Sequence, residues 1–295
     1  MPSRRTLIAS ALIATGLTAS GLWWRSLQAG HLEAAAALRQ PRDTDSFEGL
    51  VHYATLAANS HNAQAWRFRQ TPQGVAIMPD MQRALAVADA DNHHLYTSLG
   101  CAAENLMLAA RSSGRSVALD FDDADDGSLN IGIGAAGQQD PLFDAILARQ
   151  CSRSVYDGRS VSAADRQALT MAARIEGCDL LFIEDRTRIE QVLELIVAAN
   201  TAQVDNPAFA EELKHWLRFN AQEAITTGDG LYSASSGNPG MPTFLGRRLF
   251  DAFFTAQSEN ARYVQQVRSS AGLVIVVSAK DDRRHWVQAG RSYQR

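Results

Sequence analysis

Residues 93–112 constrain the fold more than any other stretch. Leu95, Leu99, Ala102, Ala103, Leu106 and Ala110 recur at helical spacing, and Gly114 stands where a helix stop is expected. One long helix is therefore predicted there. Short strands are predicted before it at Trp66-Arg67-Phe68 and Val75–Met78, around the turn Pro72-Gln73-Gly74. Two more follow it at Val117–Phe121 and Leu129–Ile133, around an acidic turn from Asp122 to Gly127. Residues 31–42 read as a linker or short helix. Further helices are expected from Phe47 to Ala58, from Asp140-Pro141 to about Ala148, and over 162–174, 186–203, 207–222 and 246–270. Leu180–Ile183 and Leu273–Val277 read as strands. Few strands among many helices make this an α+β chain.

The start of the long helix has an echo. Asp91 to Gly100, Asp-Asn-His-His-Leu-Tyr-Thr-Ser-Leu-Gly, is matched in spacing by Asp281 to Gly290, Asp-Asp-Arg-Arg-His-Trp-Val-Gln-Ala-Gly. Tyr96 falls opposite Trp286, and Glu104 opposite Gln294; in each copy a short apolar strand precedes the aspartate and a helix follows. A duplicated half explains this pattern. The division is then 1–30, 31–140 and 141–295, with the second copy short at its C-terminus because it stops at Arg295.

The first thirty residues stand apart. Arg4-Arg5 precedes a moderately apolar stretch that runs to Leu22 and is followed by Trp23-Trp24-Arg25. Paired arginines before such a run resemble a twin-arginine export signal. The alternative is an uncleaved membrane anchor with Trp23 and Trp24 at the interface, although glycines and hydroxyl residues dilute the roughly 20 apolar residues a span requires. The expected location is therefore periplasmic or membrane-anchored, and cytoplasmic if the signal is unused. Any membrane contact is confined to this segment. Because that export route carries folded proteins, it suits a chain that acquires a cofactor first.

Composition removes several function classes. With 46% hydrophobic and 20% charged residues over 295 positions, the chain can bury a core, which excludes disorder, collagen and coiled coil for its bulk. Its net charge is −4, with 26 Arg and only two Lys, so it has no general electrostatic claim on nucleic acid. Cys101, Cys151 and Cys178 are scattered, which excludes a disulfide framework and a thiolate zinc site. The adjacent His93 and His94 would point about 100° apart on a helix, and no other histidines share ligand spacing, so no metal is expected. Gly132-Ile133-Gly134-Ala135-Ala136-Gly137 matches GxGxxG, yet the next helix starts only after the last glycine. A dinucleotide site needs that glycine inside the helix's first turn, and the match is set aside. GxSxG, HExxH, Walker A and SxxK patterns do not occur.

Two segments carry chemistry. Asn59-Ser60-His61-Asn62-Ala63-Gln64-Ala65-Trp66 packs a hydroxyl and several amides between a helix and a strand. It is either a decorated helix-end turn or a donor-and-acceptor edge suited to a uracil-like ring. Arg149-Gln150-Cys151-Ser152-Arg153 places two arginines four apart. They either favour a helix's negative end or converge on one phosphate by forked hydrogen bonds. Residues 228–242 form the one long low-propensity loop, a candidate insertion or lid.

Together these segments resemble the nitroreductase family of flavoproteins, which carries an RxSxR-type phosphate motif and a PSxxNxQPW-type turn. The nearest branch is the exported, Acg-like FMN-binding homologues. Leu99–Leu106, Glu212–Arg218 and Asp229-Gly230-Leu231 extend the resemblance over roughly residues 45–295. It implies a nitroreductase-like fold of two fused halves forming a pseudo-dimer, and so a monomer or a homodimer of such chains. The polar turn occurs only in the first half and the arginine pair only in the second, with merely Arg39-Gln40-Pro41-Arg42, at the wrong spacing, earlier on. One FMN site per chain is thus implied, with Ser60, Asn62 and Gln64 at the ring edge and ribityl chain. Arg149, Cys151 and Arg153 would meet the phosphate. NAD(P)H would reduce the flavin, and a nitroaromatic or quinone-like acceptor would reoxidise it, with no side chain assigned a catalytic role. The rival implied by the same branch is flavin binding or sequestration without turnover. Against the family pattern, Cys151 replaces a serine, Ala65 replaces the proline before Trp66, and the C-terminal segment has no counterpart after Arg295.

Overall fold

A computed structural model describes residues 26–124 and 126–295. The export signal or anchor expected over 1–30 lies, up to residue 25, outside the described residues. Among the described residues no helix is long and apolar enough to cross a membrane. The architecture is α+β, with mixed helices and antiparallel sheets.

The elements in order are helices α1 His31–Leu38 and α2 Phe47–Thr55, strands β1 Trp66–Thr71 and β2 Gly74–Pro79, helix α3 His93–Ser112, and strands β3 Val117–Asp122 and β4 Ser128–Ile133. Then come α4 Ala163–Ala172, β5 Cys178–Ile183, α5 Arg186–Val204, α6 Pro207–Trp216, β6 Leu217–Arg218, α7 Ala221–Thr227 and β7 Leu231–Tyr232. The last four are α8 Thr243–Phe253, α9 Ala256–Ser269, β8 Leu273–Ser278 and α10 Arg283–Gln294. They form two compact units. One gathers the described residues up to Leu38 with Trp216–Phe253, and the other gathers Arg39–His215 with Phe254–Arg295.

The larger unit is built on α3. Asp89 starts this helix by accepting from the backbone N–H groups of His94 (2.9 Å) and Leu95 (2.8 Å). Leu99, Ala102, Ala103 and Leu106 on it are fully buried. Beside α3 lies an antiparallel sheet in the order β1-β2-β4-β3, with Val75, Ala76 and Ile77 of β2 buried in it. The β1–β2 hairpin turns at Pro72-Gln73, within the turn expected at Pro72-Gln73-Gly74, and Gly74 joins β2. A second, two-stranded antiparallel sheet pairs β5 with β8.

α3 crosses α10, and the contacts are reciprocal. Gly290 follows Gly100 by 190 positions, and the contacts repeat under that offset. A Cβ added to Gly100 would run into the Val287 carbonyl, and one added to Gly290 into the Thr97 carbonyl. His93 stacks on Trp286 with ring centroids 4.9 Å apart, while Arg283 lies over the Tyr96 ring at 5.1 Å. Arg295 Nη1 pairs with Glu104 at 2.6 Å, while Gln294 Nε2 donates to Asn105 Oδ1 at 2.9 Å. Each pair exchanges the roles of the other, as a twofold-related helix pair does. His93 and His94 lie face to face within this aromatic stack, ring centroids 5.1 Å apart.

Three helical expectations are corrected. The helix expected from Asp140 to about Ala148 is a single 3₁₀ turn, Pro141–Ala145. Its onward carbonyls, Leu147 and Arg149, accept from the Arg39 guanidinium instead of from helical N–H groups. The helix expected over 207–222 breaks after Trp216, where Leu217–Arg218 pair in parallel with Leu231–Tyr232. Asn220 then caps α7 by accepting from Glu223 N. The helix expected over 246–270 is two, because the Thr255 side chain caps α9 through a reciprocal pair with Ser258.

In the smaller unit the 228–242 segment is less irregular than expected. It carries β7 and a 3₁₀ turn at Ser233–Ser236. Asp229 pairs with the buried Arg218 at 2.5 Å, and Met241 N donates to Phe219 O at 2.8 Å, so both ends of the segment are tied.

Candidate functional site

The polar turn departs from the C-terminal end of α2. Ala58 N donates to Gln294 Oε1 at 3.0 Å, anchoring the departure to α10. Ser60 N lies 3.4 Å from Ser98 Oγ of α3. Within the turn His61, Asn62 and Gln64 all adopt left-handed backbone, with φ of 49°, 50° and 53°. Three non-glycine residues in that region within four positions are strained, each at a cost of about 1 kcal/mol or more. The strain is held by one bond within the turn and one from outside it. Gln64 N donates to Asn59 Oδ1 at 2.9 Å, and Arg83 Nε donates to Ala63 O at 2.6 Å.

Beneath the turn lies a solvent-open cleft of about 230 Å³. Ser60 and Gln64 line it, with Asn59, Arg83, Asp89 and Ser98. Glu212 of α6 accepts from Val87 N at 2.9 Å and Ala88 N at 2.8 Å, between the lining residues Leu85 and Asp89.

The arginine segment reaches the root of this turn. Arg149 Nη2 donates to the Leu56 carbonyl, the C-cap of α2, at 2.7 Å. Its Nη1 lies 3.7 Å from Cys151 Sγ, and its Nε is buried with no hydrogen-bond partner. Arg153 is exposed, its carbonyl accepts from Gln266 Nε2 at 2.6 Å, and its charge acts on His61. Cys151 is exposed and does not line the cleft. The buried Cys101 thiol nearby is pushed up to about 12 by its burial. The structure thus brings Arg149 to the turn's origin and Arg153 within electrostatic reach of His61, and it leaves Arg149, Cys151 and Arg153 outside the cleft lining.

Sequence reasoning named Arg39 and Glu212 only within motif stretches and gave neither a role at the site, and it passed over Arg83 and Asp89. Asp89 carried a legible signal, an aspartate just ahead of an apolar helical run. Arg39, Arg83 and Glu212 act on backbone groups 20 to 125 positions away, a relation no local pattern carries.

His61 is held below the ordinary imidazole range, first by burial, with Arg153 and His94 adding to the shift and Glu212 opposing it. A base depressed in the folded state is protonated more readily when unfolded, so folding loses stability as pH falls through about 6.5. The denaturation midpoint is expected to drop between about pH 7.5 and pH 5.5, and the drop to shrink in His61→Gln. An identical drop in both proteins refutes the assignment to His61.

The donors present match a flavin mononucleotide in kind: guanidinium groups for an anion, amides and a hydroxyl for a heteroaromatic edge. The cleft does not match it in size. The 230 Å³ includes open solvent, and the enclosed part holds about one water molecule, so the cleft as it stands admits no flavin ring. No protein-family model matches the chain, and no curated protein matches it in sequence.

Proposed function

We propose that the chain is an FMN-dependent oxidoreductase of the nitroreductase type, exported by the twin-arginine route to the periplasm or a membrane-anchored position. One observation carries the reading: the Arg149 Nη2 hydrogen bond to the Leu56 carbonyl, at 2.7 Å. It ties the arginine segment to the root of the polar turn, where the guanidinium meets a helix-end carbonyl outside the cleft lining. The reciprocal contacts of α3 and α10 support a pseudo-dimer of two fused halves, divided near residue 140.

Arg149 and Arg153, with Cys151 between them, would hold the phosphate by charge-assisted hydrogen bonds. Ser60, Asn62 and Gln64 would orient the ring edge, held in place by the Asn59 and Arg83 bonds. The chemistry supplied by bound FMN is two-electron transfer from NAD(P)H to a nitroaromatic or quinone-like acceptor, so the chain's own work is binding and orientation.

A second reading is flavin binding without turnover, which the resemblance to the Acg-like branch implies. Stopped-flow mixing of the FMN-loaded protein with NADPH separates the two. Rapid bleaching of the oxidised flavin band is the expected result for the enzyme, and an unchanged band marks sequestration. A colourless protein whose melting temperature does not rise with added FMN overturns both.

A further inference from the structure

We propose that the outer edge of β8 is a docking edge for an antiparallel β-hairpin of the chemistry of β3–β4, presented by a partner polypeptide. Neither the polar turn nor the arginine segment takes part in it. In the first half β2 precedes α3, packs on it, and pairs with β1 along one edge and β4 along the other. In the second half β8 precedes α10, packs on it, and pairs with β5 in a full six-residue antiparallel register, as β2 does with β1. Among the described residues no strand and no backbone hydrogen bond occupies the other edge of β8. Because α3 and α10 exchange contacts reciprocally, that open edge is the counterpart of the one β4 fills. Burial differs accordingly. Val75, Ala76 and Ile77 of β2 are buried, whereas Val274, Ile275 and Val277 of β8 are 50%, 37% and 45% exposed.

Leu273–Ser278 reads Leu-Val-Ile-Val-Val-Ser, with neither charge nor proline. An uncharged, β-branched edge with open N–H and C=O groups is a template for another strand. The other sheet edges are guarded. β1 carries Arg67 and Arg69, and β3 carries Asp120 and Asp122. On β5, Asp179 is exposed, and Arg166 lies over the Phe182 ring at 5.7 Å while pairing with Glu184 at 2.6 Å. The first half also shows what fits the open edge. Leu129 and Ile131 of β4 are buried, Asn130 between them is partly exposed, and Ser128–Ile133 carries no charge. β3 then ends that sheet with its two aspartates. A fitting hairpin therefore has an uncharged inner strand, apolar at alternate positions, and a charged outer strand. The β8 of a second copy, apolar at five successive positions, lacks that alternation.

The test titrates the full chain with a synthetic peptide of residues 117–133, the chain's own β3–β4 sequence. A six-residue edge buries less than the roughly 1,200 Å² of a stable interface, so a dissociation constant on the order of 10 μM is expected. Leu273–Ser278 should gain protection from hydrogen exchange when the peptide is added. Val274→Lys and Val277→Lys put a charge on exposed positions of the edge. Each is expected to weaken peptide binding about 10-fold or more at an unchanged melting temperature. Leu195→Lys, at an exposed position of α5, is expected to leave binding unchanged. No binding at about 1 mM peptide, unaltered exchange at β8, or equal binding by the wild type and both edge variants overturns the proposal. Protection of β8 that rises with protein concentration in the absence of peptide identifies a second copy as the occupant and overturns it too. If the edge variants unfold, the exchange pattern of the wild type decides alone.

Discussion

Replacing Glu104 with alanine is expected to cost about 3–5 kcal/mol of folding stability. Glu104 is fully buried in the middle of α3. Its carboxylate meets Arg291 Nε at 2.8 Å and Arg295 Nη1 at 2.6 Å, with Arg111 Nη1 at 3.9 Å. Arg295 also holds Asp140 at 2.9 Å. Formation of the whole cluster adds little net stability, because desolvation offsets most of the attraction. Removal of its one buried anion is different, since two half-buried guanidinium groups are then left facing each other. Chemical denaturation of Glu104→Ala measures the loss. A loss below about 1 kcal/mol, the size usual for exposed pairs, would show that water reaches the cluster and that the burial described here is wrong.

Gly100→Ala and Gly290→Ala are each expected to cost about 2 kcal/mol or more. Helix propensity alone predicts the opposite sign, a gain of about 1 kcal/mol per site. The clash wins because the added Cβ meets a backbone carbonyl, Val287 in one case and Thr97 in the other, and backbone cannot rotate out of the way. The two helices must separate, which opens the contacts of Trp286, Val287 and Leu99 on both sides. The double variant should lose less than the sum of the single losses, because separation forced at one glycine makes room at the other. Thermal melts of the three variants decide the matter. Additive losses would mean that the two sites are independent, and the crossing would then not be one reciprocal interface.

The candidate site was legible only in part. The hydroxyl and amides of Ser60, Asn62 and Gln64 stood out by residue type, and Ser60 and Gln64 do line a cleft. Arg149 and Arg153 stood out by spacing. Their approach to the turn was not legible, since it depends on Arg149 reaching a carbonyl 93 positions earlier. Nor was the left-handed backbone of His61 and Gln64, which is held by Asn59 and Arg83 against the local preference of the chain.

Periodicity and turn chemistry alone determined α3, the β1–β2 hairpin with its turn at Pro72-Gln73, and the β3–β4 hairpin, because each of these is specified by neighbours a few positions apart. The same local information marked Asp91–Gly100 and Asp281–Gly290 as echoes. Tertiary structure decided where helices stop. Arg39 takes the carbonyls of Leu147 and Arg149, and Arg218 turns to Asp229, so two expected helices end early, while the break before α9 is local, a capping pair between Thr255 and Ser258. It also decided that the two echoes face each other through Gly100 and Gly290. The physical reason is range: a hydrogen bond or a close backbone approach between residues far apart in the chain outweighs local propensities of a few tenths of a kcal/mol per residue, and leaves no trace in their spacing.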